Sequence, residues 1–269
     1  MAYEWLTQGL QTTWDEIVRL VRPLPESDLD RPTPCPGWSV RDVVSHLIGF
    51  ELMLAGTPLP EFEGDMPEYV KNDIGKFNEA FVQSRRSYGR DELLDEFQEV
   101  SRQSIERLDA MGDEAWEAQS WSPEGEVPYH RFMETRILDS WIHLQDLRDA
   151  LAQPLDDHGI GEEIVVNRFE AALPYVIGKR AGAPEGTRVR FNLIGRVGRS
   201  TDVVVTDGRA KASSEPGEPN LEITTPVALF WRRAAGRISA GAFLEASETH
   251  VLGDPELARR IADGLVVMI

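Results

Sequence analysis

The spacing of apolar residues changes near residue 155, and this change limits the folds that the chain can adopt. Before it, apolar residues recur at helical spacing, as they do in residues 3–21. After it, the stretches RVRFNLIG and STDVVVTDG are rich in β-branched residues that alternate with others, which is typical of strands. We therefore predict a helical domain over residues 1–155 and a smaller α+β domain over residues 156–269.

Helical segments separated by Pro- and Gly-rich loops fill the first half of the chain. Ser39 precedes an apolar run, and Asp42 is three residues after Ser39. This is the pattern of a capping box at a helix start. Residues 112–128 are predicted to form a loop. The predicted helices are residues 3–21, 39–54, 67–87, 91–111 and 130–151.

The second half begins with one more predicted helix, residues 162–178, in which Pro174 should introduce a kink. Strands follow, and Asp207 with Gly208 forms a tight-turn signal. Thr225 before Pro226 resembles a helix cap followed by proline in the first turn. Asp254 before Pro255 repeats that pattern at the start of a final helix.

Charge and cysteine content exclude several classes of function. The chain has 28 Lys and Arg against 46 Asp and Glu, a net charge of −18, so we expect neither nucleic acid nor an anionic membrane as a partner. Cys35 is the only cysteine, which excludes an internal disulfide and a cysteine-rich zinc site. The first ten residues lack the pattern of a secretion signal, and we expect a cytoplasmic protein.

The predicted helix over residues 130–151 carries a polar stripe. Asp139 and His143 are four residues apart, so a carboxylate and an imidazole emerge one turn apart and could bind one divalent ion such as Zn²⁺. Asp146 could accept a hydrogen bond from His143 or pair with Arg136 through water. A solvated helix face would explain the same stripe. The opposite side is apolar: Ile137, Leu138, Trp141 and Leu144.

Other residues compete for a role in chemistry. His130 and Glu134 form a second pair four residues apart, near the helix start. His46 lies at the edge of the apolar stripe of its helix, where a side chain can enter a groove between helices, and it could supply a third ligand. Cys35 could be a nucleophile, although a small buried residue is the interpretation we favour.

Two segments together resemble the mycothiol-dependent maleylpyruvate isomerase family. PTPCPGWSVRDVVSHL resembles the stretch that carries the family's first histidine ligand, and DSWIHLQD resembles the helix with the second pair of ligands. The resemblance implies a DinB-like four-helix bundle in which His46, Asp139 and His143 hold Zn²⁺. The common form of the family has glutamate where this chain has Asp139, which is one methylene shorter.

The C-terminal segments extend the resemblance. GDPELARRIADGL resembles the closing helix of the family's sterol-carrier-like domain. WRRAAGR resembles the stretch that presents a catalytic arginine towards the metal, which implies that role for Arg237, with Arg232 and Arg233 as alternatives.

The chemistry implied by the resemblance uses a thiol that the protein does not contain. Mycothiol, the small thiol of actinobacteria, would bind the metal, which favours loss of the thiol proton, and the resulting thiolate would add to an electrophilic carbon. In a small, electrophilic and anionic substrate with a conjugated double bond, the addition would leave a rotatable single bond. Elimination of the thiolate would then return the trans isomer, which completes a cis–trans isomerisation. A mycothiol S-transferase and a non-catalytic metal- or ligand-binding protein are the alternatives. We expect a monomer or a homodimer.

Overall fold

The computed structural model describes residues 2–123, 125–155 and 159–268, and their contacts divide the chain into two compact units. The first unit is Met1–Gly161 and the second is Glu162–Ile269. The sequence predicts a boundary after Leu155 instead. Part of the stretch between the two positions, residues 156–158, lies outside the described residues.

The first unit is built from helices, as predicted. Four of them are long, and α6 packs against α1 and α2 while α4 packs against the same two helices. The predicted segment 67–87 is helical only in its centre, where Asn72 caps the helix by accepting from the backbone of Gly75. The helices are α1 Glu4–Val21, α2 Val40–Leu54, α3 Asp73–Gln83, α4 Arg90–Asp109, α5 Asp113–Glu117 and α6 Tyr129–Ala150.

Helix α6 is buried on nearly all sides in its middle turns. Its apolar residues Ile137, Trp141 and Leu144 are in the core, and so are the polar residues His143 and Asp146. The interpretation of the polar stripe as a solvated face is therefore wrong. Polar groups that are buried in this way need partners inside the protein.

The prediction of a loop over residues 112–128 is wrong. The short helix α5 buries Trp116, and an antiparallel hairpin follows it, with β1 Gln119–Ser122 and β2 Gly125–Pro128. Each strand is only four residues long and mostly solvent-facing, so no long apolar alternation marks it in the sequence.

The kink predicted at Pro174 is found as a break in the helix. Helix α7, Gly159–Ala171, stops before Pro174, and α8, Leu173–Tyr175, starts a new turn that continues as a π-helical turn. Pro174 thus lies in the first turn of α8, where its missing N–H leaves no hydrogen bond unmade.

The second unit contains a five-stranded sheet in the order β5-β4-β3-β6-β7, in which only β3 and β6 are parallel neighbours. Asp207 and Gly208 both have positive φ, 54° and 71°, as a two-residue hairpin turn requires. Strand β5 was not predicted. The strands are β3 Arg188–Ile194, β4 Ser200–Thr206, β5 Arg209–Ser213, β6 Leu221–Pro226 and β7 His250–Gly253.

Three helices complete the second unit: α9 Val227–Ala234, α10 Ala240–Glu245 and α11 Pro255–Gly264. Asp254 caps α11 as predicted, since its carboxylate accepts from two backbone N–H groups. The predicted cap at Thr225 is wrong, because Thr225 still belongs to β6 and its hydroxyl lies 2.9 Å from that of Thr249.

The predicted fold class, a helical domain followed by a smaller α+β domain, is confirmed. Among the helices of residues 2–123, 125–155 and 159–268, none has the length and apolar character that crossing a membrane needs.

Candidate metal centre

His46 of α2 and the pair Asp139 and His143 of α6 meet in the first unit. The Nε2 atom of His46 lies 3.2 Å from one carboxylate oxygen of Asp139, and the Nε2 atom of His143 lies 3.6 Å from the other. One possible ligand atom from each side chain lies within 4.8 Å of the others. No other set of three or more potential ligands comes together in the part of the chain that the structure describes.

The spacing of these atoms fits a metal ion. Zn²⁺ binds nitrogen and oxygen at about 2.0–2.2 Å, so neighbouring ligand atoms of a tetrahedral site lie about 3.4 Å apart. Each histidine Nε2 atom lies at about that distance from one of the two oxygens of the Asp139 carboxylate. Two imidazoles with one carboxylate are a donor set that Zn²⁺ accepts, and three protein ligands leave a position open.

The aspartate at position 139 is long enough for this geometry. Its carboxylate contacts both imidazoles directly, and its side chain is 25% exposed while both histidine side chains are 4% exposed. The buried imidazoles thus form the floor of the site, and Asp139 lies nearer to solvent.

Asp146 orients His143. Its carboxylate lies 3.0 Å from the Nδ1 atom of His143 and is almost fully buried. A proton held between these two atoms leaves Nε2 of His143 unprotonated and facing the centre, as metal binding requires. Of the two roles expected for Asp146, this is the one in the structure, because Arg136 binds Glu51.

Within the part of the chain that the structure describes, His46 lacks an equivalent partner. Its Nδ1 atom is buried and has no hydrogen-bond partner among the described residues. The indole ring of Trp38 lies 5.0 Å from its ring, at a tilt of 36°. Packing therefore holds the ring of His46, but no acceptor in the described ranges selects the tautomer with an unprotonated Nε2.

The CPGW motif builds one wall of the centre. Gly37 has φ +80°, and a Cβ there would lie 2.2 Å from the ring of Tyr69, so only glycine fits. Trp38 follows this turn. The centre of its ring lies 5.0 Å from the ring centre of His46 and 5.9 Å from that of His143. Ser39 then caps α2, and the predicted capping box with Asp42 is confirmed.

Glu79 holds the Trp38 ring by accepting a hydrogen bond from its indole N–H. This fully buried carboxylate accepts from Nε1 of Trp38 at 3.1 Å, from the Tyr69 hydroxyl at 2.9 Å and from Arg86 at 2.6 Å. Burial, followed by the hydrogen bond to Glu79, raises the pKa of Tyr69, so its phenol stays a donor at neutral pH. Sequence analysis missed Glu79, because it lies in a helix that looks mostly polar.

The other candidates from the sequence, His130, Glu134 and Cys35, are not part of this centre. His130 stacks on Tyr3 with ring centres 5.0 Å apart and lies 3.7 Å from Glu117, whereas Glu134 pairs with Arg131 at 3.0 Å. Cys35 is half-buried in the turn that precedes Trp38.

The three candidate arginines differ in their surroundings within the second unit. Arg233 donates to the backbone carbonyls of Ala262, Ile238 and Asp263, so its guanidinium is committed to structure. Arg232 stacks over Trp231 at 5.6 Å. Arg237 is half-buried after the turn that ends α9 and donates to the carbonyl of Ala235 at 2.9 Å. The role expected for Arg237 stays a prediction.

Comparison with known families decides the relationship of the chain. The family model described as mycothiol maleylpyruvate isomerase N-terminal domain matches residues 10–148, more than half of the sequence. The chain belongs to this family. The predicted resemblance is confirmed, and all three residues of the candidate centre lie inside the matched range of the maleylpyruvate isomerase domain.

Solved structures agree on the fold. The crystal structure of the mycothiol-dependent maleylpyruvate isomerase is 15% identical over 95% of this chain and 96% of its own, with a TM-score of 0.58. A histidine-to-alanine mutant of the mycothiol-dependent maleylpyruvate isomerase is 16% identical over 88% of this chain and 90% of its own, also with a TM-score of 0.58. Among curated proteins, none matches the chain.

Proposed function

We propose that this protein is a zinc- and mycothiol-dependent enzyme that catalyses cis–trans isomerisation of a small, anionic electrophile. The observation that carries the proposal is the meeting of two imidazoles and one carboxylate at the spacing of a divalent metal site. Membership of the maleylpyruvate isomerase family supports both the thiol and the type of reaction.

Each residue of the centre has a distinct task in this proposal. His46, Asp139 and His143 hold the ion, which supplies the acidity that converts a thiol into a thiolate near neutral pH. Asp146 keeps the proton of His143 on Nδ1 and so keeps Nε2 available. The ring of Trp38 covers both imidazoles on one side and excludes water there.

The remaining tasks fall to a thiol from solution and to an arginine. Cys35, the only cysteine, lies in the turn before Trp38 and is not among the residues of the centre, which supports an external thiol. We propose that Arg237 binds the carboxylate of the substrate, or the negative charge that develops during addition, through charge-assisted hydrogen bonds.

The decisive experiment compares metal content and thiol dependence in one preparation. Protein loaded with Zn²⁺ should bind about one ion per chain, and turnover of maleylpyruvate should require added mycothiol. His46→Ala should lose the ion and the turnover, while His130→Ala should keep both, since His130 stacks on Tyr3 instead.

The outcomes separate the alternatives. Conjugation of mycothiol to a general electrophile such as a bimane, without isomerisation, would make the protein an S-transferase. Turnover without any thiol would rule out the mechanism, and an unchanged metal content in His46→Ala would rule out the site.

A further inference from the structure

A buried ion pair joins the two helices that carry the candidate metal ligands. Arg136 of α6 donates to Glu51 of α2 at 2.5 Å, and the two side chains are 2% and 4% exposed. Arg136 precedes Asp139 by three residues, and Glu51 follows His46 by five. The pair therefore lies about one to one and a half helical turns from the ligands.

All four long helices of the first unit meet at this pair. Ser104 of α4 donates to Glu51 at 2.5 Å and accepts from Arg136 at 3.1 Å. The guanidinium of Arg136 lies over the ring of Trp14 of α1, 5.8 Å from its centre. The groups that Glu51 and Arg136 contact in these interactions are different from the ligands of the centre.

Stability alone is a weak reason for such a pair. Two charges lose their hydration when they are buried, and apolar residues of the same size often stabilise a protein equally well or better. What an ion pair adds is direction, because the hydrogen bonds between a guanidinium and a carboxylate form only over a narrow range of relative positions. A buried pair that links two helices therefore favours one register between them.

The metal centre requires a fixed register between α2 and α6. His46 lies on α2, whereas Asp139 and His143 lie on α6, so the distance of 3.2 Å between His46 and Asp139 depends on how the helices align. A slip of one turn would shift the ligands by about 5.4 Å, beyond coordinating distance. The same slip would leave Glu51 and Arg136 buried without each other.

We propose that Glu51 and Arg136 are positioning residues that fix the register of α2 against α6 and thereby hold His46 at the metal. The proposal rests on the proposed metal centre. It assigns no contact between the pair and the ion or the substrate.

The test replaces the pair by apolar residues of similar size, in Glu51→Leu/Arg136→Met. Affinity for Zn²⁺ is measured by competition with a chelator, the absorption spectrum of bound Co²⁺ reports ligand geometry, and denaturant unfolding reports the stability of the metal-free protein. We expect 10- to 100-fold weaker Zn²⁺ binding, as for other groups that orient metal ligands, and an altered Co²⁺ spectrum, with metal-free stability retained.

A second ion pair of the same type provides the matched control. Arg85 donates to Glu96 at 2.6 Å with side chains 7% and 27% exposed, and neither residue lies on α2 or α6. Arg85→Met/Glu96→Leu should leave Zn²⁺ affinity and the Co²⁺ spectrum unchanged. An equal loss of affinity in this control would show that general loosening causes the effect and would overturn the proposal.

Two further results complete the test. If Glu51→Leu/Arg136→Met does not fold, Arg136→Lys, which keeps the charge but replaces the planar guanidinium by a shorter ammonium group, gives the same readouts. Unchanged Zn²⁺ affinity and spectrum in a folded variant would overturn the positioning role. Absence of Zn²⁺ binding in the natural protein would instead overturn the metal centre itself, so the two failures are distinguishable.

Discussion

At the scale of single residues, metal binding at the centre depends on which imidazole nitrogens already have hydrogen-bond partners. Asp146 holds Nδ1 of His143 at 3.0 Å, whereas Nδ1 of His46 has no partner among the described residues. The two histidines are therefore unequal before a metal arrives, because only one of them has its tautomer fixed by a buried carboxylate.

We predict that Asp146→Asn weakens Zn²⁺ binding by about 10- to 100-fold, since the amide no longer draws the proton of His143 to Nδ1. Chelator competition measures the change. Glu134→Gln, a neutralised carboxylate on the same helix that pairs with Arg131, should bind Zn²⁺ like the natural protein. Equal affinities in both variants would contradict the orienting role, and a loss only in Glu134→Gln would favour the pair of His130 and Glu134.

The anchor of Trp38 gives a second prediction at this scale. In Glu79→Gln the buried site loses the charge that holds Trp38, Tyr69 and Arg86. Leaving Arg86 without this partner should destabilise the first unit by about 1–3 kcal/mol in denaturant unfolding. Glu99→Gln, in which an exposed pair with Arg102 is lost, should leave the stability nearly unchanged. Similar losses in both variants would argue against an anchoring role for Glu79.

At the scale of elements, the turn before α2 is the segment in which local sequence most directly determines the site. Gly37 allows the turn, Trp38 follows it, and the capping box of Ser39 and Asp42 starts the helix that carries His46. The turn, the indole ring, the capping box and the candidate histidine ligand thus all lie within ten residues. Their closeness explains why this stretch is recognisable in the sequence.

Gly37→Ala tests that turn. The positive φ alone should cost about 1–3 kcal/mol of unfolding free energy, and displacement of the Tyr69 ring should add to it and move Trp38. Gly56→Ala is the matched control, because Gly56 has φ +84° but nothing within 4 Å of an added Cβ. We expect both variants to lose stability in thermal unfolding and only Gly37→Ala to bind Zn²⁺ more weakly. Weaker Zn²⁺ binding in both would mean that the turn has no specific role.

The elements also show what the sequence could and could not predict. The capping box, the Asp207–Gly208 turn and the cap at Asp254 are local, so their residues alone predict them. The hairpin over residues 119–128 and the pair of Glu51 and Arg136 were missed. The former has strands too short for a periodic pattern, and the latter joins residues 85 positions apart.

The candidate metal ligands depend both on a local pattern and on contacts between distant residues. Periodicity places Asp139 and His143 one turn apart, but it equally allows a solvated stripe. Burial of α6 on nearly all sides distinguishes the two, and it arises from packing against other helices rather than from α6 itself. Its place at the edge of an apolar stripe makes His46 a candidate third ligand, and the resemblance to a family makes it the expected one.

At the scale of the whole molecule, the role proposed for Arg237 gives a prediction. Arg237→Ala should lower turnover of an anionic substrate roughly 100-fold, as loss of a group that stabilises developing negative charge does, without loss of bound Zn²⁺. Arg237→Lys should recover part of the rate, and steady-state kinetics with metal analysis measure both. An unchanged rate in Arg237→Ala would transfer the role to Arg232, since Arg233 is bound to three backbone carbonyls.

The net charge of −18 gives a prediction for the chain as a whole. Repulsion among excess carboxylates opposes the compact state, and salt screens it, so the midpoint of thermal unfolding of the metal-free protein should rise between low and moderate salt at pH 7. The rise should be smaller near pH 5.5, closer to the isoelectric point of about 4.7. A midpoint that falls with salt at pH 7 would show that favourable ion pairs outweigh the repulsion.

The unequal histidines have a consequence for how the centre would be loaded. Asp139 and His143 come from one helix, and Asp146 of the same helix already holds His143 in the form that binds metal. Helix α6 therefore carries a ready-made half-site, which an incoming ion would meet first. His46 lies on another helix, and its second nitrogen has no acceptor within the described part of the chain, so it would be the last ligand to join and the first to leave. Capture and release of the ion would then both be controlled from the side of α2.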